Sequence, residues 1–81
     1  MELLINYRIG KCDFQPTAEE QEMIEPLVCE ALGGIKTLCE KHNAKVIVTK
    51  TVQGEYTFKP ECKDSDTLML MYYYMHNAGL E

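Results

Sequence analysis

The sequence contains no apolar run approaching the roughly 20 residues that a membrane-spanning helix needs. Its first residues, MELLINYRIG, lack the basic start and the small-residue cleavage site of a secretory signal peptide. Internal repeats, low-complexity segments and linker-like stretches are also missing from the sequence. Because apolar residues still make up 46% of the chain, we expect a single globular domain, residues 1–81, in the cytoplasm.

Basic residues are scarce, with 8 Lys and Arg against 13 Asp and Glu and a net charge of −5. Contacts to nucleic-acid phosphates need clustered basic side chains, so the charge argues against nucleic acid as a partner. The acids are concentrated instead, since five glutamates fall within twelve residues: Glu19, Glu20, Glu22, Glu25 and Glu30. A solvated helix face explains this cluster, and a negative patch that meets a basic partner surface is the functional alternative.

The four cysteines, at positions 12, 29, 39 and 62, include no C-x-x-C pair. In a cytosolic chain, free thiols in or near the core are the usual state. Cys39 and His42 share a helix face and are candidates for a zinc site, which would need further ligands such as Cys12, Cys62 or His76. Structural zinc sites usually show two close ligand pairs, whereas this sequence has one. We therefore expect no metal ion and no cofactor.

Catalytic motifs are equally scarce. Cys12 is the most plausible reactive thiol because it lies between Lys11 and Asp13, in a polar segment. Thiol catalysis also needs a base and a residue that orients it, and the sequence indicates no such third residue. The Gly33-Gly34 pair lies inside a helical pattern, not between a strand and a helix as a phosphate-binding loop requires. We expect a non-enzymatic protein.

The first half of the sequence predicts a strand followed by a long helix. Residues 3–9 alternate, which puts Leu3, Ile5, Tyr7 and Ile9 on one buried face, and residues 10–16 form a loop. The Thr17–Glu20 segment matches a capping box. Apolar residues at helical spacing then predict an amphipathic helix that runs to about residue 42. Because Pro26 and Gly33 lie on its polar side, we expect one bent helix and not two short ones.

The next segment predicts a β-hairpin. Residues 45–52 are rich in β-branched side chains, Gln53-Gly54 predicts a two-residue turn, and residues 55–59 form a return strand that Pro60 ends. This turn pairs Thr51 with Tyr56 and Thr49 with Phe58 on the buried face, with Ile47 beside them. Val48 and Lys50 then belong to the outer face.

A final helix completes the pattern, with N-caps within residues 64–66 and Gly79 as its C′ residue. The order β-α-β-β-α predicts an α+β fold, a small two-layer domain. Its three-stranded, mostly antiparallel sheet carries both helices on one face. The first strand lies either beside the third, antiparallel, or beside the second, parallel and joined by a crossover. The expected core consists of Ile5, Ile24, Val28, Ile35, Leu38, Ile47 and Phe58.

The final helix, DTLMLMYYYMHNAG, has an unusual composition, because the eight residues from Leu68 to Met75 are all Leu, Met or Tyr. On a helical wheel, the core face comprises Leu68, Met71, Tyr72 and Met75. A second apolar face comprises Met69, Leu70 and Tyr73, with Tyr74 on its flank. Tyr and Met are enriched at protein contacts, so the second face predicts binding to another protein or to a second copy. Burial of both faces within the monomer is the alternative.

We expect a small acidic protein-interaction module, acting as an inhibitor or accessory protein of the kind that phages and mobile elements encode. Its predicted partner-binding residues are Met69, Leu70, Tyr73 and Tyr74 on the last helix and Glu19, Glu22 and Glu25 on the first. The alternative function is a regulatory domain that binds a small ligand between subunits or between helix and sheet. The loop that carries Cys12 and Phe14 would line that pocket.

Overall fold

The computed structural model of the chain describes residues 4–80 and is a small α+β domain. Leu3, the first residue of the predicted strand, lies outside the described residues. The elements along the chain are β1 (Leu4–Ile9), β2 (Cys12–Asp13), α1 (Ala18–Leu32), a 3-10 turn (Gly33–Ile35), α2 (Lys36–Lys41), β3 (Lys45–Lys50), β4 (Tyr56–Glu61) and α3 (Ser65–Asn77).

Within residues 4–80 the strands form one mixed sheet in the order β2-β1-β3-β4. The central pair, β1 and β3, is parallel, whereas β1 with β2 and β3 with β4 are antiparallel. The α+β prediction is confirmed, but the sheet has four strands instead of three. The additional strand, β2, forms because Gly10, with a φ of +60°, reverses the chain within the predicted loop. Of the two strand orders left open, the parallel one is present.

Both α1 and α3 pack on the inner face of the sheet, as predicted. Tyr7 of β1 and Val48 of β3 are paired neighbours on this face, and both are buried. The apolar sides of the helices that cover them have no exposed surface and comprise Ile24, Val28 and Leu32 of α1 with Met71 and Met75 of α3. The opposite face of the sheet is open and includes exposed Asn6 and Lys59. The core therefore lies between one sheet face and one helix layer.

The β3–β4 hairpin pairs one residue away from the predicted register. Val48 lies opposite Phe58, and Lys50 lies opposite Tyr56. The reason is a longer connection, residues 51–55, in which the Thr51 amide donates to the Glu55 carbonyl at 2.8 Å. A shift of one residue moves every side chain of a strand to the opposite face. Val48 is therefore buried, and the prediction that Ile47 and Thr49 face the core is wrong.

Pro60 lies inside β4 and does not end it, contrary to the prediction. Proline cannot donate a backbone hydrogen bond, and it is tolerated where a strand lies at the edge of a sheet. Among the described strands, β4 pairs with β3 alone, so it has such a free edge. The Pro60 ring is fully buried.

The predicted long helix is interrupted at the two glycines. Leu32, with φ −98° and ψ 8°, and Ile35, with φ −128° and ψ 17°, depart from α-helical geometry on either side of Gly33-Gly34. The single bent helix is therefore replaced by α1, the 3-10 turn and α2. Pro26 remains within α1 on its exposed side, so the glycines, and not the proline, end this helix.

The interruption also changes which residues of this region face the core. Ile24, Val28 and Ile35 are buried as predicted. Leu38 is only half-buried because, after the 3-10 turn, Cys39 takes the fully buried position. Ile5 and Phe58 are also half-buried, and with Leu38 they pack against the edge of the core. The prediction that Ile9 is buried is wrong, because this residue at the end of β1 is 45% exposed.

Tyr74 of α3 lies close to the backbone of Gly34 in the 3-10 turn. A Cβ atom at Gly34 would lie 3.0 Å from Cε1 of Tyr74, whereas one at Gly33 would meet no described atom within 4 Å. The first distance is shorter than ordinary van der Waals contact. The absence of a side chain at Gly34 therefore lets the Tyr74 ring pack against the turn.

Replacement of the two glycines tests this contact. Gly33→Ala is expected to raise the free energy of unfolding by about 0.5–1 kcal/mol, because Gly33 has helical dihedral angles and alanine restricts the unfolded chain. Gly34→Ala is expected to be less stable than Gly33→Ala, because the Tyr74 ring must move. Urea titrations followed by circular dichroism measure both values. Equal stability of the two variants would contradict the Gly34–Tyr74 contact.

Candidate functional site

Both ends of α3 are capped as the sequence predicts. Asp64 is the N-cap, and its carboxylate accepts from the Thr67 amide at 3.0 Å and from the Thr67 hydroxyl at 2.6 Å. These bonds, together with nearby His42, lower the pKa of Asp64. At the other end, Gly79 has a φ of +76°, and the Leu80 amide donates to the Met75 carbonyl at 2.9 Å. This pattern is a Schellman motif, so backbone groups at both ends of α3 are hydrogen-bonded and the ends of the helix are well defined.

The side of α3 that faces away from the core is open to solvent. Met69 is 70% exposed, Tyr73 is 61% exposed and Leu70 is 39% exposed. On the opposite side, Met71 and Met75 of the predicted core face are fully buried. Leu68 and Tyr72 are only half-buried, and Thr67 is the third fully buried residue of the helix. Residues 4–80 therefore leave uncovered the surface that we call the α3 face: Met69, Leu70 and Tyr73. Burial of both sides of the helix within the monomer does not hold for these residues.

Tyr74 occupies the flank of the α3 face. It is half-buried, and its ring meets the Tyr73 ring edge-on with centroids 5.6 Å apart. Tyr74 also lines a groove of about 480 Å³ between α1 and the end of α3, together with Leu27 and Leu80. Leu27 is 44% exposed. A groove on α1 and α3 that also includes Glu30 and Asn77 thus adjoins the flank of the α3 face.

The glutamates of α1 divide into two groups. Glu19, Glu22 and Glu25 are exposed, as a partner-binding patch requires. Glu20 has a side chain only 15% exposed, because it reaches back toward the sheet. The predicted Thr17–Glu20 capping box is present, with both reciprocal bonds at 3.1 Å. Glu20 is therefore a structural residue and not a part of the exposed acidic patch.

Glu20 connects the start of α1 to the β3–β4 hairpin. Its Oε2 accepts from the Tyr56 hydroxyl at 2.5 Å and from Lys50 Nζ at 3.4 Å. The Tyr56 bond, then the Thr17 amide and Lys50, lower the pKa of Glu20 from its ordinary 4.5 to about 2. The same bond raises the pKa of Tyr56. The sequence did not indicate this cluster, because the predicted register placed Lys50 on the outer face.

The bonds of Glu20 to Tyr56 and Lys50 predict that the protein loses stability in acid. The pKa of the Glu20 carboxyl group is lower in the folded protein than in the unfolded chain. The contribution of Glu20 to the free energy of unfolding is therefore complete above pH 4.5 and is lost as the pH falls to about 2. Glu20→Gln is expected to be less stable than the wild type at neutral pH, and this difference is expected to shrink over that range. Urea unfolding at several pH values measures it, with Glu22→Gln as the matched loss of an exposed charge. A difference independent of pH would show that the Glu20 carboxylate is not bonded as described.

The residues considered for metal binding or thiol chemistry are not assembled into a site. Cys12 and Cys29 are exposed, and burial raises the pKa of the Cys39 thiol, which disfavours the reactive thiolate. His42 Nε2 lies 3.9 Å from Asp64 Oδ2, whereas Cys62 Sγ lies 3.9 Å from the backbone carbonyl oxygen of His42 and not from its ring. Within residues 4–80, no three His, Cys, Asp or Glu side chains are grouped so that they could hold a metal ion.

Comparison of the chain with protein-family models, with curated proteins and with solved structures finds no match. In the part of the chain that the structure describes, every helix is too short or too polar to cross a bilayer.

Proposed function

We propose that this chain is a non-enzymatic interaction module that binds another protein through the α3 face. The observation that carries the proposal is the exposure of Met69 and Tyr73, at 70% and 61%, on a helix whose opposite side is fully buried. Large apolar side chains that project together from one rigid helix are typical of interface anchors. Burial of such side chains is favourable by about 25 cal/mol per Å² of apolar surface removed from water.

The rigidity of α3 supports the proposal. The helix is capped at both ends, and Met71 and Met75 anchor it in the core. Binding by a surface that is already ordered loses less conformational entropy than binding by a mobile segment. The Tyr73 and Tyr74 rings also restrict each other, since they meet edge-on. The α3 face therefore presents its side chains in a fixed arrangement.

Charge favours a basic partner over a second copy of the chain. The chain carries a net charge of −5, so two copies repel each other at long range. The exposed Glu19, Glu22 and Glu25 on α1 would instead attract a basic protein and accelerate its approach. An inhibitor or accessory protein would act in this way, by occupying a surface of its target. A symmetric homodimer through the α3 face remains a distinct outcome of the experiment below.

A double substitution on the α3 face tests the proposal. Tyr73→Glu with Met69→Lys places two charges where an apolar interface cannot easily desolvate them, and it leaves the net charge unchanged. Because both positions are exposed, the variant is expected to keep its circular dichroism spectrum and melting temperature. It is expected to lose a stoichiometric partner recovered from the source organism or, for a homodimer, to sediment as a monomer.

The matched control is Val52→Lys with Gln53→Glu in the exposed connection between β3 and β4. Val52 is 94% exposed, so this pair also replaces an apolar side chain and adds one charge of each sign. The control is expected to retain the partner or the dimer. The proposal is wrong if the wild type is a monomer with no stoichiometric partner, or if the α3 variant binds as well as the control.

A further inference from the structure

The outer edge of β4 is open in the part of the chain that the structure describes. Among residues 4–80, β4 pairs with β3 and with no other strand. A strand at the edge of a sheet carries backbone N–H and C=O groups that can pair with the strand of another molecule. We call this row of outward-pointing backbone groups, from Tyr56 to Pro60, the β4 edge.

The pairing of β4 with β3 determines which backbone groups lie on the β4 edge. In an antiparallel pair, residues that bond to the neighbouring strand alternate with residues whose N–H and C=O groups point away from it. The Thr51 amide donates to the Glu55 carbonyl at 2.8 Å, so the groups of the next residue, Tyr56, point outward, and so do those of Phe58 and Pro60. Proline has no N–H group. The β4 edge therefore offers the amides of Tyr56 and Phe58 as donors, beside carbonyl acceptors.

A second copy of the chain satisfies both donors in one antiparallel register. This register pairs Tyr56 of each copy with Phe58 of the other and places the two Thr57 residues opposite each other at a two-fold axis. A shift that sets Phe58 opposite its own copy would place Tyr56 opposite Pro60, which has no amide to return the bond. A shift in the other direction would set Phe58 opposite Gly54, whose φ of +86° is not that of an extended strand.

The exposed side chains beside the β4 edge fit the same register. It sets Glu55 of one copy opposite Lys59 of the other, so a pair of opposite charges forms on each side of the axis. Both side chains are exposed, and neither is in an ion pair within residues 4–80. The register with Phe58 at the axis would instead oppose Glu55 and Glu61, which carry the same charge. Charge and hydrogen bonding therefore favour the same arrangement.

We propose that two copies of this chain associate through their β4 edges, with Thr57 at the two-fold axis and Glu55 paired with Lys59. The net charge of −5 opposes the approach of two copies, but salt at physiological concentration screens this long-range repulsion. No residue of the α3 face belongs to the contact, so the inference does not depend on the function proposed for that face. Because one pair of strands buries little surface, we expect a reversible dimer that dissociates on dilution.

Analytical ultracentrifugation at several protein concentrations tests the association, in about 0.15 M salt. The wild type is expected to sediment as a monomer when dilute and as a dimer at about 1 mM. A wild type that stays a monomer at that concentration would overturn the proposal. The β4 edge would then be left to an extended segment of another protein.

Charge reversal tests the predicted pairs. Glu55→Lys is expected to weaken the dimer about tenfold, because it sets two positive charges opposite each other on each side of the axis. The same variant changes the net charge of the chain from −5 to −3, so long-range repulsion alone predicts a tighter dimer. Lys59→Glu is expected to weaken the dimer as well. The two predictions for Glu55→Lys have opposite signs, which separates the contact from the overall charge.

Two combinations of these variants are expected to restore the dimer. Glu55→Lys with Lys59→Glu in one chain exchanges the charges without changing their sum, and it is expected to dimerise within about threefold of the wild type. An equimolar mixture of the two single variants is expected to form a heterodimer, since each then meets the opposite charge. The proposal is wrong if neither single variant weakens the dimer. It is also wrong if only Tyr73→Glu with Met69→Lys does so, because the dimer would then lie at the α3 face.

A cysteine at the axis locates the contact directly. Directly opposed residues without mutual hydrogen bonds have Cα atoms about 4.5 Å apart, which a disulfide can bridge. In a chain whose exposed Cys12 and Cys29 are replaced by serine, Thr57→Cys is expected to form an intermolecular disulfide, with glutathione disulfide as the oxidant. Val52→Cys is the control, at a position that is 94% exposed but away from the axis, and it is expected to cross-link several-fold more slowly. Equal rates at the two positions would overturn the register.

Discussion

The parallel pairing of β1 with β3 is the constraint on which the rest of this fold depends. Two parallel neighbours cannot be joined by a tight turn, so the chain between them must cross the sheet, and α1 forms that crossover. Its apolar side then covers the inner face above Tyr7 and Val48. The second helix of the layer, α3, completes this cover with Met71 and Met75. No further element within residues 4–80 is left to cover the other side of α3, so the exposure of the α3 face follows from the topology.

Features that depend on local sequence were predictable. The capping box at Thr17, the N-cap at Asp64 and the C′ glycine at Gly79 each involve residues a few positions apart, and all three are present. The sequence also predicted which residues share a side of α3, because helical spacing decides this. The α3 face could therefore be named from the sequence, whereas its exposure required knowledge of how the helices pack.

Features that depend on distant contacts were not predictable. Gln53-Gly54 suits a two-residue turn, and both Val48 and Thr49 favour a strand, so local preference did not fix the register of β3. Burial of Val46 and Val48 beneath Ile24 and Val28 decides it, and those contacts join segments far apart in the chain. The same register brings Lys50 beside Tyr56 and Glu20. The sequence assigned Glu20 to the capping box, but it did not reveal the bonds of Glu20 to Tyr56 and Lys50 of the hairpin.

The predicted long helix is interrupted at Gly33-Gly34, and this interruption affects the candidate site. The helix α1 ends at Leu32, and a 3-10 turn begins at Gly33, which the pattern of apolar residues did not reveal. The turn leaves Gly34 without a side chain opposite Tyr74, so the tyrosine ring lies 3.0 Å from where a Cβ would be. Tyr74 in turn restricts Tyr73 through their edge-on contact. A residue forty positions earlier in the chain thus influences the Tyr73–Tyr74 pair at the α3 face, through packing alone.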